Sequence, residues 1–86
     1  MIAEVIHEHA ARVTVPNKGE TYRVRTQGYA RSDGMWEGWL EFQPVDRSGP
    51  VLRTNRETTQ TDREALLYWA TGLEPIYLEG AFARAT

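Results

Sequence analysis

The chain has 86 residues, of which 41% are hydrophobic and 26% charged, a composition typical of one globular domain and not of a disordered segment. Ten Lys and Arg against twelve Asp and Glu give a formal charge of −2, which excludes a general electrostatic attraction to nucleic acid or anionic lipid. The absence of cysteine excludes disulfides, thiolate metal sites and a cysteine nucleophile.

The N-terminal segment admits two interpretations. Residues 2–9 fit a helical face, but the side chains at 5, 7, 9, 11, 13 and 15 also fit one face of a strand, and we favour the strand. Glu4 lies where a secretion signal needs basic residues, and no apolar run is long enough to span a bilayer. We therefore expect a cytoplasmic protein with no membrane segment.

A β-hairpin in the middle of the chain is the clearest local signal. Residues 22–31 and 35–43 both alternate, and Ser32-Asp33-Gly34 between them is typical of a three-residue loop. A turn at residues 16–19 predicts a further hairpin upstream. The central loop predicts one register, in which the opposite pairs are Val24 and Phe42, Thr26 and Leu40, Gly28 and Gly38, Ala30 and Trp36, Arg25 and Glu41, Gln27 and Trp39, and Tyr29 and Glu37.

The C-terminal half changes from strand to helix periodicity. A turn at residues 46–50 precedes a short edge strand at 51–54, and a polar loop follows at 53–62. Thr61 and Glu64 form a predicted capping box for a first helix, which Gly72 ends in a left-handed conformation. Pro75 begins a second helix over residues 75–85, for which a strand is the alternative.

These elements predict an α+β fold in a single domain, residues 1–86. It is an antiparallel β-meander of three to four strands with one or two C-terminal helices packed on one face. The predicted core comprises Val13, Val15, Tyr22, Val24, Trp36, Leu40, Phe42, Leu66, Trp69, Leu73 and Phe82.

The sheet face without helices is the first candidate site. The register places Trp39 and Tyr29 there as partner-binding anchors, beside the orienting charges Arg23, Arg25, Glu37 and Glu41. Large aromatic side chains among arginines are the composition of an interaction hot spot. We therefore predict a non-enzymatic protein-interaction module that binds an unidentified protein or a second copy of itself. The alternative is a nucleic-acid-binding or antitoxin-like module that uses the same face.

The polar loop is the second candidate site. Arg53, Arg56 and Thr61 could hold an anion at the start of the first helix, as a small enzyme or ligand sensor would require. Acidic Glu57, Asp62 and Glu64 in the same segment oppose that interpretation.

Other chemistry finds little support in the sequence. His7 and His9 have the spacing of two metal ligands on a strand, but no further ligand follows at a diagnostic distance. Ser32 and Ser48 both lie in turns, and no phosphate-binding glycine motif is present. We predict no catalytic residues, no metal and no cofactor. The order of strands followed by helix resembles that of small antitoxin-like and double-stranded-RNA-binding domains, a likeness of fold that assigns no residue a role.

Overall fold

The computed structural model describes residues 2–86. Its elements are β1 (Glu4–Val15), β2 (Glu20–Ala30), β3 (Trp36–Pro44), β4 (Leu52–Arg53), β5 (Thr58–Gln60), α1 (Arg63–Thr71) and α2 (Pro75–Arg84). The strands form one antiparallel sheet in the order β1-β2-β3-β4, and β5 pairs with β3 on the same edge as β4. The predicted α+β meander with C-terminal helices is confirmed, as are the strand at the N-terminus and the helix that begins at Pro75.

The β2–β3 hairpin has the predicted register throughout. Gly34 has a φ of 88°, the left-handed conformation that a three-residue loop requires. The Asp33 carboxylate accepts a hydrogen bond from the Met35 amide at 3.0 Å, which closes the loop locally. Local turn chemistry and side-chain alternation therefore fix the register together.

A pair of opposed glycines forms a seat for α1 on the sheet. Gly28 and Gly38 lie directly opposite each other, and the fully buried Leu66 side chain packs onto them. A Cβ atom at Gly28 would lie 2.5 Å from Leu66 Cδ2 and 2.9 Å from the Glu37 carbonyl oxygen. The absence of side chains at both positions thus allows α1 to pack close to the backbone of the sheet.

The core lies between the sheet and the two helices. Its buried hydrophobic residues are Ile6, Val13, Tyr22, Val24, Leu40, Phe42, Leu66, Ala70, Leu78 and Ala81. Val15, Leu73 and Phe82 are partly buried against this cluster. Trp36 and Trp69, also predicted as core residues, are only partly buried, and unlike Val15, Leu73 and Phe82 they do not pack against this cluster. Trp36 lies at the hairpin end of β3, and Trp69 packs edge-on against Tyr77 with ring centroids 6.1 Å apart.

The edge strand predicted at residues 51–54 is confirmed as β4. The prediction of a polar loop over residues 53–62 is corrected, because residues 58–60 form the strand β5. Thr54 is buried, and its hydroxyl accepts a hydrogen bond from the Leu40 amide while its own amide donates to the Leu40 carbonyl, both at 3.0 Å. The Glu57 amide donates to the Gly38 carbonyl at 2.8 Å. β4 and β5 therefore follow the same edge of β3, separated by a short outward excursion that contains Arg56.

Two predicted helix ends differ from the structure. Asp62, not Thr61, is the N-cap of α1, and its carboxylate accepts from the Ala65 amide at 2.7 Å. An ionised cap also interacts favourably with the positive end of the helix, an advantage that the Thr61 hydroxyl lacks. Gly72 has a φ of −88° and is not left-handed, because the chain continues in a right-handed turn in which the Leu73 amide donates to Ala70.

β1 bends away from β2 at two bulges. Ile6 is the extra residue of the first bulge, between Val5 and His7, and it reverses the predicted alternation so that Val5 lies opposite Gln27 on the other face. The second irregularity spans Glu8 to Arg12, where residues 9–11 face Val24 alone. We call residues 9–11 the β1 arch. Its His9 side chain is half-buried, and Nε2 lies 2.8 Å from the Thr26 hydroxyl.

The His9 ring makes stability depend on pH. Burial, together with the nearby His7, lowers the pKa of His9 from 6.5 to about 4. Between pH 6.5 and pH 4, His9 is therefore protonated in the unfolded chain but not in the folded protein. The free energy of unfolding is unaffected by His9 above pH 6.5 and decreases as the pH falls from 6.5 towards 4. We expect a loss of roughly 1–2 kcal/mol, less than the full pKa difference implies because solvent screens a half-exposed ring.

Urea unfolding of wild type and His9→Gln at several pH values in this window measures the effect. Glutamine does not titrate, so subtraction of the two profiles removes the carboxylates that both proteins share. His7→Gln is the matched control and should retain most of the wild-type slope. An identical slope in His9→Gln and wild type would show that another group is responsible.

Candidate functional site

The sheet surface turned away from α1 and α2 is the candidate site, and we call it the open face. Both helices pack on the opposite surface, α1 through Leu66 on the glycine seat and α2 through Leu78 and Ala81 in the core cluster. The central strands contribute Arg23, Arg25, Gln27, Tyr29, Glu37, Trp39, Glu41 and Gln43 to the open face. Every residue of the predicted partner-binding set therefore lies on this surface.

Trp39 and Tyr29 form an aromatic pair near the middle of the open face. Their ring centroids are 5.9 Å apart at an interplanar angle of 57°, and both side chains are partly exposed. The pair is diagonal across the hairpin, since Trp39 faces Gln27 and Tyr29 faces Glu37. The two rings thus support each other and leave part of their apolar surface in contact with solvent.

Charged side chains of the central strands β2 and β3 form ion pairs with the outer strands β1 and β4. Arg25 lies opposite Glu41 as predicted, but its Nε atom contacts Glu8 Oε1 of β1 at 3.0 Å. Glu41 instead lies 3.5 Å from Arg53 Nε of β4. Each pair has one largely exposed member, Glu8 or Arg53, so screening by solvent keeps its contribution to stability small.

The hairpin end of the open face carries a similar pair. Arg31 Nε is 3.7 Å from Glu37 Oε2, and Arg31 Nη2 is 3.0 Å from the Asp33 carboxylate in the adjoining loop. Within residues 2–86, Arg12, Arg23 and Arg56 form no ion pair with a carboxylate. Three arginines of this surface are therefore available to an external anion.

The open face has the opposite charge to the rest of the molecule. Its arginines are Arg12, Arg23, Arg25, Arg31, Arg53 and Arg56, and its carboxylates are Glu8, Glu37 and Glu41. Six positive and three negative groups give a formal charge of +3, or +2 if Asp33 of the loop is counted. The whole chain has a charge of −2, so the remaining residues carry −5 or −4. This separation of charge favours an acidic partner on the open face.

Three shallow depressions lie on the open face or at its border. The largest, about 440 Å³, is at the hairpin end and is lined by Tyr29, Ala30, Arg31, Ser32, Glu37 and Arg56. The second, about 390 Å³, lies at the β1 arch and is lined by Glu8, His9, Ala10, Arg12, Arg23 and Val24. The third, about 170 Å³, is beside the Trp39 ring and is lined by Ala3, Gln27, Trp39, Glu41 and Arg53.

The structure distributes the predicted anion-binding residues over different places. Arg53 contacts Glu41, and Arg56 lines the hairpin-end depression. Thr61 is exposed beside Asp62, whose carboxylate already accepts a hydrogen bond at the start of α1. An anion bound there would meet this negative charge at the helix N-terminus. The anion site at Arg53, Arg56 and Thr61 stays a prediction.

The contribution of β1 to the open face was not predicted from the sequence. Glu8 lies opposite Arg25, and Arg12 lies opposite Arg23. Their positions could have been found from the strand alternation, which places His9, Ala11 and Val13 towards the core and the intervening residues on the other side. The contribution of Val5 could not be found in this way, because the bulge at Ile6 reverses the alternation.

Comparison with known proteins gives no further assignment. The chain matches no protein-family model, no curated protein and no solved structure. Among the described residues, no helix is both long and apolar enough to cross a bilayer. In residues 2–86, no three His, Asp or Glu side chains lie close enough together to hold a metal ion.

Proposed function

We propose that this protein is a non-enzymatic interaction module of the cytoplasm that binds an acidic protein surface on its open face. The observation that carries the proposal is the partly exposed Trp39–Tyr29 pair on a sheet surface that neither helix covers. Trp and Tyr are enriched among the residues that dominate binding energy, since they bury a large area with few rotatable bonds. Arg23 and Arg25, with Glu37 and Glu41, would orient the partner around this anchor.

The positive charge of the open face disfavours a homodimer in which the open faces of two copies contact each other. A face-to-face homodimer would bring two surfaces of net positive charge together, and like charges across an interface oppose association. The acidic helix side of a second copy has the complementary sign. Self-association is therefore one outcome that the test must detect, and light scattering on the purified protein measures it directly.

Comparison of Trp39→Ala with Tyr68→Ala tests the proposal. Tyr68 is 83% exposed on α1, on the far side of the sheet, so its substitution removes an exposed aromatic ring without touching the open face. We expect a binding protein to be retained from lysate by wild type and by Tyr68→Ala and lost by Trp39→Ala. The affinity of the purified partner for Trp39→Ala should fall at least about tenfold, which is typical of an anchor residue. Equal retention by both variants would contradict the proposal.

Nucleic acid is the second candidate partner, because aromatic rings among arginines on a sheet surface can also stack on unpaired bases. Salt dependence separates the two. Binding to phosphates releases counterions, so affinity for a single-stranded oligonucleotide should fall steeply with salt, whereas an interface anchored by Trp39 should weaken much less. Retention of an oligonucleotide at physiological salt, lost in Trp39→Ala, would favour the nucleic-acid function.

A further inference from the structure

Two arginines face each other at the β1 arch. Arg12 and Arg23 are direct cross-strand partners on the open face, and both are exposed. Directly opposed side chains in an antiparallel pair have Cβ atoms about 4.5–5.5 Å apart, and like charges at that position are unfavourable. Neither arginine has an ion-pair partner within the described chain to offset the repulsion.

The local geometry leaves room for a ligand between these arginines. β1 has two more residues than β2 between the Glu8–Arg25 and Arg12–Arg23 pairs, so the β1 arch stands off from β2. The resulting depression of about 390 Å³ is lined by Arg12 and Arg23 and by the small Ala10 side chain. Glu8, the one carboxylate in its lining, is held by Arg25 at 3.0 Å. The His9 ring nitrogen is occupied by the Thr26 hydroxyl at 2.8 Å.

We propose that the β1 arch binds a phosphate-type dianion between Arg12 and Arg23. Two guanidinium groups match the charge of a dianion, and their planar donors suit its oxygens better than ammonium groups would. The anion would replace repulsion between the two arginines by attraction to both. Along β2, Arg23 lies four residues from Gln27, which faces Trp39, and six residues from Tyr29. The site does not require the proposed protein partner.

Thermal unfolding in sodium phosphate and in sodium chloride of equal ionic strength tests the site. At a phosphate concentration of about ten times the dissociation constant, the midpoint of the wild type should rise by roughly 6–10 °C more than that of Arg12→Gln or Arg23→Gln. Because phosphate stabilises many proteins through exclusion from their surface, the difference between wild type and variant isolates the site. Lys18→Gln, which removes a cation from the β1–β2 turn, is the matched control and should keep the full wild-type gain.

The same variants give a second and independent reading in chloride alone. Removal of either arginine relieves the repulsion, so Arg12→Gln and Arg23→Gln should unfold at or above the wild-type midpoint. O-phosphoserine in place of inorganic phosphate distinguishes a free phosphate ion from a phosphate monoester as the ligand. If both compounds raise the unfolding midpoint equally, the site accepts a monoester carried on a larger molecule. If inorganic phosphate alone raises the midpoint, the ligand is a free anion. The proposal is overturned if neither compound raises the wild-type midpoint more than that of both glutamine variants.

Discussion

Replacement of Gly28 by alanine is expected to destabilise the protein by about 2–3 kcal/mol. The new Cβ atom would lie 2.5 Å from Leu66 Cδ2 and 2.9 Å from the Glu37 carbonyl oxygen, both closer than van der Waals contact allows. Leu66 is fully buried and the carbonyl belongs to the central hairpin, so relief requires displacement of α1 or of β3. For a domain of this size such a loss is a large share of the total stability. Denaturant unfolding measures it.

Two other glycines serve as controls for Gly28→Ala. Gly38→Ala should cost less, because its nearest neighbour at 2.6 Å is the end of the Leu66 side chain and the backbone is 3.5 Å away. Gly80 lies within α2, and the nearest atom to its Cβ position is 3.8 Å away. Gly80→Ala should therefore stabilise the protein by about 0.5–1 kcal/mol through higher helix propensity. If Gly28→Ala is as stable as Gly80→Ala, α1 does not rest on the glycine seat.

Leu66→Ala is expected to cost about 3–4 kcal/mol, the largest effect of any single substitution considered. Leu66 is 0% exposed, and it fills the space above Gly28 and Gly38, two positions that have no side chain of their own. The Ile6 and Thr58 side chains border this space, but neither lies within it. The cost of the empty cavity therefore adds to the lost transfer free energy of the removed methyl groups. Leu73→Ala, at a partly buried position, should cost clearly less.

The double variant Leu66→Ala with Gly28→Ala links the two predictions. The Cβ atom added at position 28 would enter the space vacated by Leu66, so its overlap with Leu66 is removed and the cavity shrinks, while the close approach to the Glu37 carbonyl oxygen stays. The double variant should be more stable than the sum of the single losses predicts, by about 1–2 kcal/mol. Strict additivity in denaturant unfolding would show that the two positions do not share this contact.

The sequence predicts the central hairpin well because its signals are local and agree with one another. Asp33 and Gly34 specify the loop, and the alternation on either side specifies the same register, so a shift by one residue would place charged side chains in the core. That register also places the four orienting charges, Arg23, Arg25, Glu37 and Glu41, on the open face. Trp39 and Tyr29 could be placed together for the same reason.

Other features depend on contacts that a local pattern does not contain. β5 forms because residues 58–60 reach the free edge of β3, although the segment has no apolar residue to mark it as a strand. Thr61 and Asp62 are both good helix caps, and the tertiary position of α1 decides between them. Arg63 contributes to that position, since its guanidinium holds both oxygens of Glu4 at the start of β1, at 2.9 and 3.2 Å.

The separation of charge between the cationic open face and the rest of the molecule could not be predicted from the sequence. A formal charge of −2 describes the chain as a whole and gave no reason to expect a cationic surface. The pairing of β1 with β2 adds Arg12 to the open face, and the excursion between β4 and β5 adds Arg56. The net charge of a small protein therefore does not predict the charge of its individual faces.

The most direct measurement of the central claim is fluorescence quenching of Trp39 by ions of opposite charge. In a variant with Trp36 and Trp69 replaced by phenylalanine, quenching by each ion is divided by its quenching of free tryptophan at equal ionic strength. On this normalised scale, Trp39 on a cationic open face should be quenched more strongly by iodide than by caesium. A variant that retains Trp69 alone, on the acidic helix side, should show the reverse preference. Resistance of Trp39 to both ions, or a preference for caesium, would contradict an accessible cationic docking surface at this position.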